Sequence, residues 1–243
     1  MRKSFLVFPV FILFAMVGHS MAGAAAQSVC ATSDKACQEF ARLIESEQYD
    51  KLVERIDPRV SYSPAAKENI GQAYLMIAGR DGNTPEQEEM YCKKALEFGA
   101  TSAYMGLYFI NADRDAEAAL GYLRKYVETK PNDSVPYVIL GEDELAKKNY
   151  AKASEYLLEA KKVSHGRSGE LDWLLFQATY LSGDYATSST MLDSSFSEGK
   201  TIGDLKALIT RDPRYSELGR KNEFRKFFPL VNSESSSRRY TRS

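Results

Sequence analysis

Residues 134–163 read SVPYVILGEDELAKKNYAKASEYLLEAKKV, and they contain the clearest helix pair of the sequence. Its apolar residues recur about every three to four positions, the spacing of a helix face that packs against a neighbour. Ser134 is a typical N-cap residue and Pro136 follows it closely, so a first helix is predicted to begin there. A turn at 148–150 then leads into a second helix that ends near Val163. The stretch therefore predicts two antiparallel helices joined by a short turn.

The seam between these two helices is marked by residues of characteristic size. Large side chains at Tyr137, Leu140 and Leu157 are predicted to fill it. Gly141 and Ala153 are small, so they allow the two backbones to approach each other closely. The pattern of large and small residues thus predicts how the pair packs as well as where its helices lie.

Similar units flank this pair on both sides. Residues 101–133 repeat the pattern, a longer unit covers 70–99, and a more degenerate unit covers 169–198, with serine at 188 and 195. These residues and spacings resemble the tetratricopeptide repeat, and the longer unit resembles the related Sel1-like repeat. The resemblance implies an all-α fold, a right-handed solenoid of antiparallel helix pairs in which three or more pairs stack.

The chain begins with the three-part pattern of a secretory signal peptide. Arg2 and Lys3 precede an apolar run from Phe5 to Val17, and small residues lead to a predicted cleavage before Gln27. The run is shorter than the ~20 apolar residues that span a bilayer. We therefore expect export to the periplasm or beyond the cell, with no stable membrane insertion after cleavage.

Five segments are predicted along the chain. They are a signal peptide at 1–26, N-terminal capping helices at 27–63, tetratricopeptide or Sel1-like repeats at 64–198, C-terminal capping helices at 199–230 and a disordered tail at 231–243. The tail is rich in serine and arginine and lacks apolar residues to bury.

Charge and cysteine content exclude several functional classes. The whole chain holds 32 Lys and Arg against 33 Asp and Glu, which does not favour nucleic acid as a partner. Cys30 and Cys37 could form a disulfide in an oxidising compartment. Cys92 would then be a buried thiol or form an intermolecular bond. No C-x-x-C spacing occurs, so neither a metal site nor a cofactor is predicted.

Three consecutive acids, Glu142, Asp143 and Glu144, raise the question of a site. Consecutive helical residues diverge by about 100°, so they cannot converge on one metal ion. Asp143 and Glu144 precede Lys147 and Lys148 by four residues, a favourable order for ion pairs on a helix surface. Glu142 has no such partner. The resemblance places Glu142 at a first-helix position that faces inward.

Two other stretches look like catalytic motifs without meeting their requirements. Residues 198–201, EGKT, end like a phosphate-binding loop, but Ser194 stands where the first glycine is needed. His165 lies in a Gly- and Ser-rich stretch between two units, which a turn explains equally well. No catalytic residue is predicted.

The resemblance implies a concave surface, formed by the first helix of each pair, that binds a protein partner. The predicted binding residues are Glu68, Gln72, Leu107, Val138, Glu142, Leu145, Trp173, Gln177 and Tyr180. Trp173 and Tyr180 would be the anchors, since aromatic side chains dominate binding hot spots. The alternative is that Trp173 belongs to the core between repeats.

Two functional roles fit these predictions, and an enzyme is the alternative. The first role is an adaptor in envelope assembly or secretion. The second is an inhibitor, because exported proteins of these repeat families include immunity proteins that neutralise secreted lipase-type effectors. The alternative is a cell-wall hydrolase that uses Glu142, although such enzymes usually need a pair of carboxylates and no second inward carboxylate lies close to it in the sequence.

Overall fold

A computed structural model of the chain describes residues 30–164 and 168–229. Within these residues every regular element is helical and no strand occurs, which confirms the predicted all-α class. The described residues form two compact units, one ending at Thr129 and the other beginning at Lys130. The predicted signal peptide, the tail from 231 and His165 lie outside the described residues.

Unit 1, residues 30–129, contains six α-helices. They are α1 (Lys35–Glu45), α2 (Tyr49–Glu54), α3 (Pro64–Ala78), α4 (Pro85–Glu97), α5 (Ala103–Asn111) and α6 (Ala116–Thr129). Unit 2, residues 130–229, contains α7 (Ser134–Ala146), α8 (Tyr150–Val163), α9 (Gly169–Ser182), α10 (Tyr185–Ser197) and α11 (Ile202–Arg211). Three short 3-10 helices follow at Pro213–Tyr215, Leu218–Arg220 and Asn222–Phe227.

Local signals in the sequence set many of these helix ends. Ser63 caps α3 directly before Pro64, and Thr84 forms a capping box with Gln87 at the start of α4. The cap of α7 is Asp133, whose carboxylate accepts from the backbone N–H of Val135. The helix therefore begins at Ser134, one residue earlier than a Ser134 cap would give. Asp takes this role because its side chain accepts the unpaired N–H groups of a first turn.

In unit 1, helices that follow one another in the chain pack together. The pairs α3–α4, α4–α5 and α5–α6 are in contact, and α1 and α2 both pack against α3. Gly71 shows how close α3 comes to the end of α4, because a Cβ there would lie 2.7 Å from the Cβ of Ala100. Such a distance is shorter than van der Waals contact, so only glycine fits at this position.

Unit 2 follows the same rule over α7–α8, α8–α9 and α9–α10, and α9 also touches α7. A Cβ on Gly141 would lie 2.6 Å from Leu157 Cγ, so the close approach predicted from the sequence occurs. Ala153 and Leu157 are fully buried in this seam. The third 3-10 helix packs on α10, so the C-terminal segment, residues 202–228, belongs to the same core.

The three cysteines of the described residues lie in unit 1. The Sγ atoms of Cys30 and Cys37 are bonded, and their Cα atoms are 5.6 Å apart. The bond ties the residues before α1 to a cysteine that is itself fully buried. Cys92 is a free thiol with 1% of its surface exposed, and burial raises its pKa to about 12. It packs against Gly106, where a Cβ would approach its sulfur to 2.9 Å.

Candidate functional site

Helix α7 carries three of the predicted binding residues, Val138, Glu142 and Leu145. Its opposite side is fixed by Leu140 and Gly141, which are buried against α8. Val138 and Leu145 are half-buried and pack against the apolar cluster that α8 and α9 share. Glu142 lies between them on the same side of the helix and is exposed. The structure therefore brings these three residues together on one face.

The carboxylate of Glu142 is electrostatically unusual. Although the side chain is exposed, surrounding protein atoms displace part of the water around the carboxylate, and this raises its pKa. The negative charge of Glu170, at the start of α9, raises the pKa further. No residue in the described part of the chain forms an ion pair with Glu142. Within the described residues, the Glu142 carboxylate therefore has a carboxylate neighbour and no paired cation.

Glu170 connects this face to Lys200 and Trp173. The ammonium of Lys200 pairs with the Glu170 carboxylate and lies 5.7 Å from the centre of the Trp173 ring. The Glu170 side chain stays 65% exposed, so it remains open to solvent. Sequence reasoning did not select Glu170, because its nearness to Glu142 arises from the packing of α7 and α9.

The two acids next to Glu142 have different roles. Asp143 pairs with Lys147 at 2.7 Å, as predicted. Glu144 is only 3% exposed and contacts Lys152 at 2.8 Å and Asn149 at 2.8 Å, instead of the predicted Lys148. Burial alone would raise the pKa of Glu144, but these two partners outweigh it and lower the pKa. Glu144 therefore joins α7 to α8 and is not part of the helix surface.

The aromatic anchors of the predicted surface lie in the core. Trp173 is 8% exposed and Tyr180 is 5% exposed. Both belong to a cluster formed by α9, α10 and the C-terminal segment, in which Tyr180 stacks on Tyr215 with ring centres 5.1 Å apart. This segment covers the side of α9 that the prediction left open to a partner. Trp173 and Tyr180 are therefore removed from the predicted binding set, and the core alternative holds for Trp173.

The remaining predicted residues divide by their exposure. On α3, Glu68 is exposed and Gln72 is half-buried one turn later, so the two lie on one face. Leu107 of α5 is fully buried beside α3 and α4, which removes it from the set as well. Gln177 is half-buried, and its amide donates to the backbone carbonyl of Trp173 at 3.3 Å.

A buried polar cluster in unit 2 was not predicted. Asp172 of α9 is 2% exposed and accepts hydrogen bonds from Lys161 of α8 and Ser194 of α10. One carboxylate therefore links three successive helices. A related signal was visible in the sequence, because the segment that forms α10 contains five serines. Two of them, Ser188 and Ser195, are fully buried and donate to backbone carbonyls.

Residues 30–164 and 168–229 contain no group of three or more metal-ligating side chains. None of the helices in these two ranges is long and apolar enough to cross a membrane. No model of a known protein family matches the sequence, and no curated protein is similar to it in sequence.

Proposed function

We propose that this protein is an exported helical-repeat protein that binds a protein partner and has no catalytic activity of its own. The fold behind the proposal is a right-handed solenoid of tetratricopeptide or Sel1-like helix pairs. Two features support it: helices pack in sequence order, and glycine or alanine occupies the seams at Gly71, Gly141 and Ala153. The contact between α7 and α9 fits a stack of pairs, because the first helices of successive pairs then touch.

The observation that carries the proposal is the environment of Glu142. Its carboxylate is partly dehydrated and repelled by Glu170, and no cation of the described chain pairs with it. Val138 and Leu145 flank it with half-buried apolar surface. A cationic side chain of a partner would relieve the repulsion while its apolar neighbours cover Val138 and Leu145. The proposed binding face therefore lies in unit 2 and consists of Val138, Glu142, Leu145 and Glu170, with Gln177 as a further candidate; in unit 1, Glu68 and Gln72 on α3 are candidates of their own.

The signal-peptide pattern of residues 1–26 supports export, so the proposed site of action is the periplasm or the cell exterior. Two roles remain within this proposal. As an adaptor, the protein would hold together parts of an envelope or secretion assembly. As an immunity protein, it would neutralise a secreted lipase-type effector. The basic side chain that Glu142 is proposed to receive would belong to the partner in either role.

A binding experiment with one matched control tests this proposal. Tagged protein is purified from the envelope of the source strain, and co-purifying proteins are identified by mass spectrometry. Glu142→Arg is expected to lose the partner, whereas Glu155→Arg, an exposed acid on α8, is expected to retain it. Circular dichroism checks that both variants stay helical. If Glu142→Arg retains the partner, binding does not use this face.

The alternative function is an envelope hydrolase, and one observation favours it. Glu142 has a raised pKa and a second carboxylate, Glu170, close enough to contribute to that rise. A protonated acid beside an ionised carboxylate is the combination that glycoside hydrolysis uses. Turnover of cell-wall polymers by the purified protein, abolished by Glu142→Gln and by Glu170→Gln, would establish the enzyme and exclude the binding-only proposal.

A further inference from the structure

Helix α1 has two faces of opposite character. Cys37, Phe40 and Ile44 point into the core of unit 1, where they meet Leu52 and Ile70. The other face carries charged and amide side chains at a spacing of three to four residues. This second face is separate from the proposed binding face, which lies on other helices.

An open cleft of about 560 Å³ runs along this outer face. Its lining includes Lys35, Gln38, Glu39 and Arg42 from α1, Gln48 at the start of α2 and Arg55 at its end. The cleft is shallow and continuous with solvent, and its lining mixes charged and amide side chains with the apolar Leu43. A groove of this form can accept a chain that lies along it, but it does not enclose a small molecule.

The charges in the cleft do not balance. Arg55 pairs with Glu39, the single acid of the lining. Lys35 and Arg42 form no ion pair with any residue that the structure describes. Three cations of the lining therefore face one acid, and this local excess of positive charge favours an anionic ligand.

The cleft is also held in shape before any ligand binds. The Gln38 amide donates to the backbone carbonyls of Ala31 and Thr32, at 3.1 and 3.0 Å. The Cys30–Cys37 disulfide ties the same loop to α1. Gln48 donates to Ser46 at 2.9 Å, which fixes the other end. A site that is ordered in advance loses less entropy on binding.

The spacing of the cations favours one kind of anion. Lys35 and Arg42 are seven residues apart, which corresponds to about 10 Å along a helix axis. Acidic side chains three residues apart lie on one face of a chain in the polyproline II conformation and are separated by about 9 Å. One phosphate group is much smaller than this distance, whereas a peptide with spaced carboxylates can meet both cations. Gln38 and Gln48 lie along the same cleft; their amide N–H groups already donate within the protein, and their side-chain oxygens can accept from the N–H groups of a peptide backbone.

We propose that the cleft lined by α1 and α2 binds an extended acidic peptide segment of a partner protein. Lys35 and Arg42 pair with carboxylates of the segment, and the two glutamine side chains contact its backbone. This inference does not rest on the proposed function, because it uses residues of a different surface.

Fluorescence anisotropy tests the inference on the purified protein. The probe is a fluorescein-labelled peptide with aspartates every third position and glycine and serine between them. The unmodified protein is expected to bind it, and a matching lysine peptide is expected not to bind. Lys35→Gln combined with Arg42→Gln should weaken binding by about fivefold or more, because two charge pairs are lost. Raising the salt concentration should weaken it further.

Lys67→Gln combined with Lys125→Gln is the matched control, since it removes two exposed cations of unit 1 outside the cleft. This control is expected to bind the acidic peptide as the unmodified protein does. An equal loss in the control would overturn the inference, because binding would then follow net charge alone. Strong competition by inorganic phosphate, or binding only to vesicles of anionic phospholipid, would also overturn it in favour of a phosphate site or a membrane surface.

Discussion

The two units of this protein stabilise their terminal elements in different ways. In unit 1, the residues before α1 are held by a disulfide, and Asn69 is the single buried polar residue described there. In unit 2, the C-terminal segment is held by aromatic burial, and two carboxylates, Glu144 and Asp172, are buried between helices. A disulfide acts mainly by restricting the unfolded chain, whereas buried rings and carboxylates act through contacts in the folded state.

The two units should therefore lose stability under different conditions. Unit 1 is expected to respond to reduction, and unit 2 to loss of its rings or of its buried charge pairs. Trp173 provides the probe, because it is the only tryptophan of the chain and lies in the cluster that closes unit 2. Its fluorescence follows unit 2, and hydrogen exchange of α1 follows unit 1.

The largest effect is expected from Phe224→Ala. Phe224 is fully buried and contacts Phe176 and Tyr180 with ring centres 6.2 and 5.6 Å away. Removing the ring leaves a cavity, so unit 2 should lose about 3–5 kcal/mol of unfolding free energy. Urea titration followed by Trp173 fluorescence measures this loss. Phe109→Ala, at an exposed ring of unit 1, is the control and should change it little.

The next effect is expected from Asp172→Ala. This change removes the acceptor that Lys161 and Ser194 share, but Lys161 is 39% exposed and can regain water. Unit 2 is therefore expected to lose about 2–3 kcal/mol of unfolding free energy, which is less than the full cost of breaking a buried ion pair. Asp193→Ala removes an ion pair whose two side chains are both 52% exposed, and should cost less than about 0.5 kcal/mol. Equal losses in the two variants would contradict the role given to Asp172.

Cys30→Ser removes the covalent closure of unit 1. The disulfide spans a sequence separation of 7, so its loss should cost roughly 2 kcal/mol through the greater freedom of the unfolded chain. Hydrogen exchange should become faster in α1, while the urea transition of Trp173 should stay in place. Adding a reductant to the unmodified protein should have the same effect. A shift of the Trp173 transition alone would show that the disulfide does not act locally.

Cys92 provides an internal check on this experiment. Because burial raises its pKa to about 12, its thiol should stay unreactive toward alkylating reagents at pH 8 while unit 1 is folded. Alkylation of Cys92 in the reduced protein would therefore report unfolding that reaches α4.

The smallest effects are expected from two neighbouring acids of unit 2. The pKa of Glu144 is lowered in the folded state, so its contribution to stability is present above the unfolded pKa, about 4.3, and is lost as the pH falls. The pKa of Glu142 is raised, so its charge opposes folding at neutral pH. Glu144→Gln should therefore lower the free energy of unfolding of unit 2 by about 1 kcal/mol at pH 7. Glu142→Gln should raise it slightly.

Both differences should shrink as the pH falls: that of Glu142→Gln as the pH passes below the raised pKa of Glu142, and that of Glu144→Gln as it passes through the lowered pKa of Glu144. Urea titrations of the two variants at pH 7 and pH 3 measure this. Effects of the same sign for the two residues at pH 7 would contradict the assignment of Glu142 as uncompensated and Glu144 as paired.

Residues of the site that one helix places could be predicted, whereas those that depend on packing between helices could not. Val138, Glu142 and Leu145 lie on one face of α7, as helical spacing required. Glu170 was missed because it reaches Glu142 only through the packing of α9 on α7. Trp173 was given two alternatives, and its burial in a cluster that includes residues more than thirty positions away could not be read from helical spacing.

The helical class, most helix ends and the seam between α7 and α8 could be predicted from the sequence alone, because helix caps and apolar spacing act within one or two turns. Helix α8 ends at Val163 as predicted and begins at Tyr150, which the prediction had placed in the turn, and Gly141 meets Leu157. Only the tertiary structure decided that Glu144 pairs with Lys152, that Asp172 joins three helices and that Tyr180 is covered. These outcomes depend on which residues of different helices come into contact. Helical periodicity predicts the face of the helix on which a side chain lies, but not the residue of another helix that it contacts.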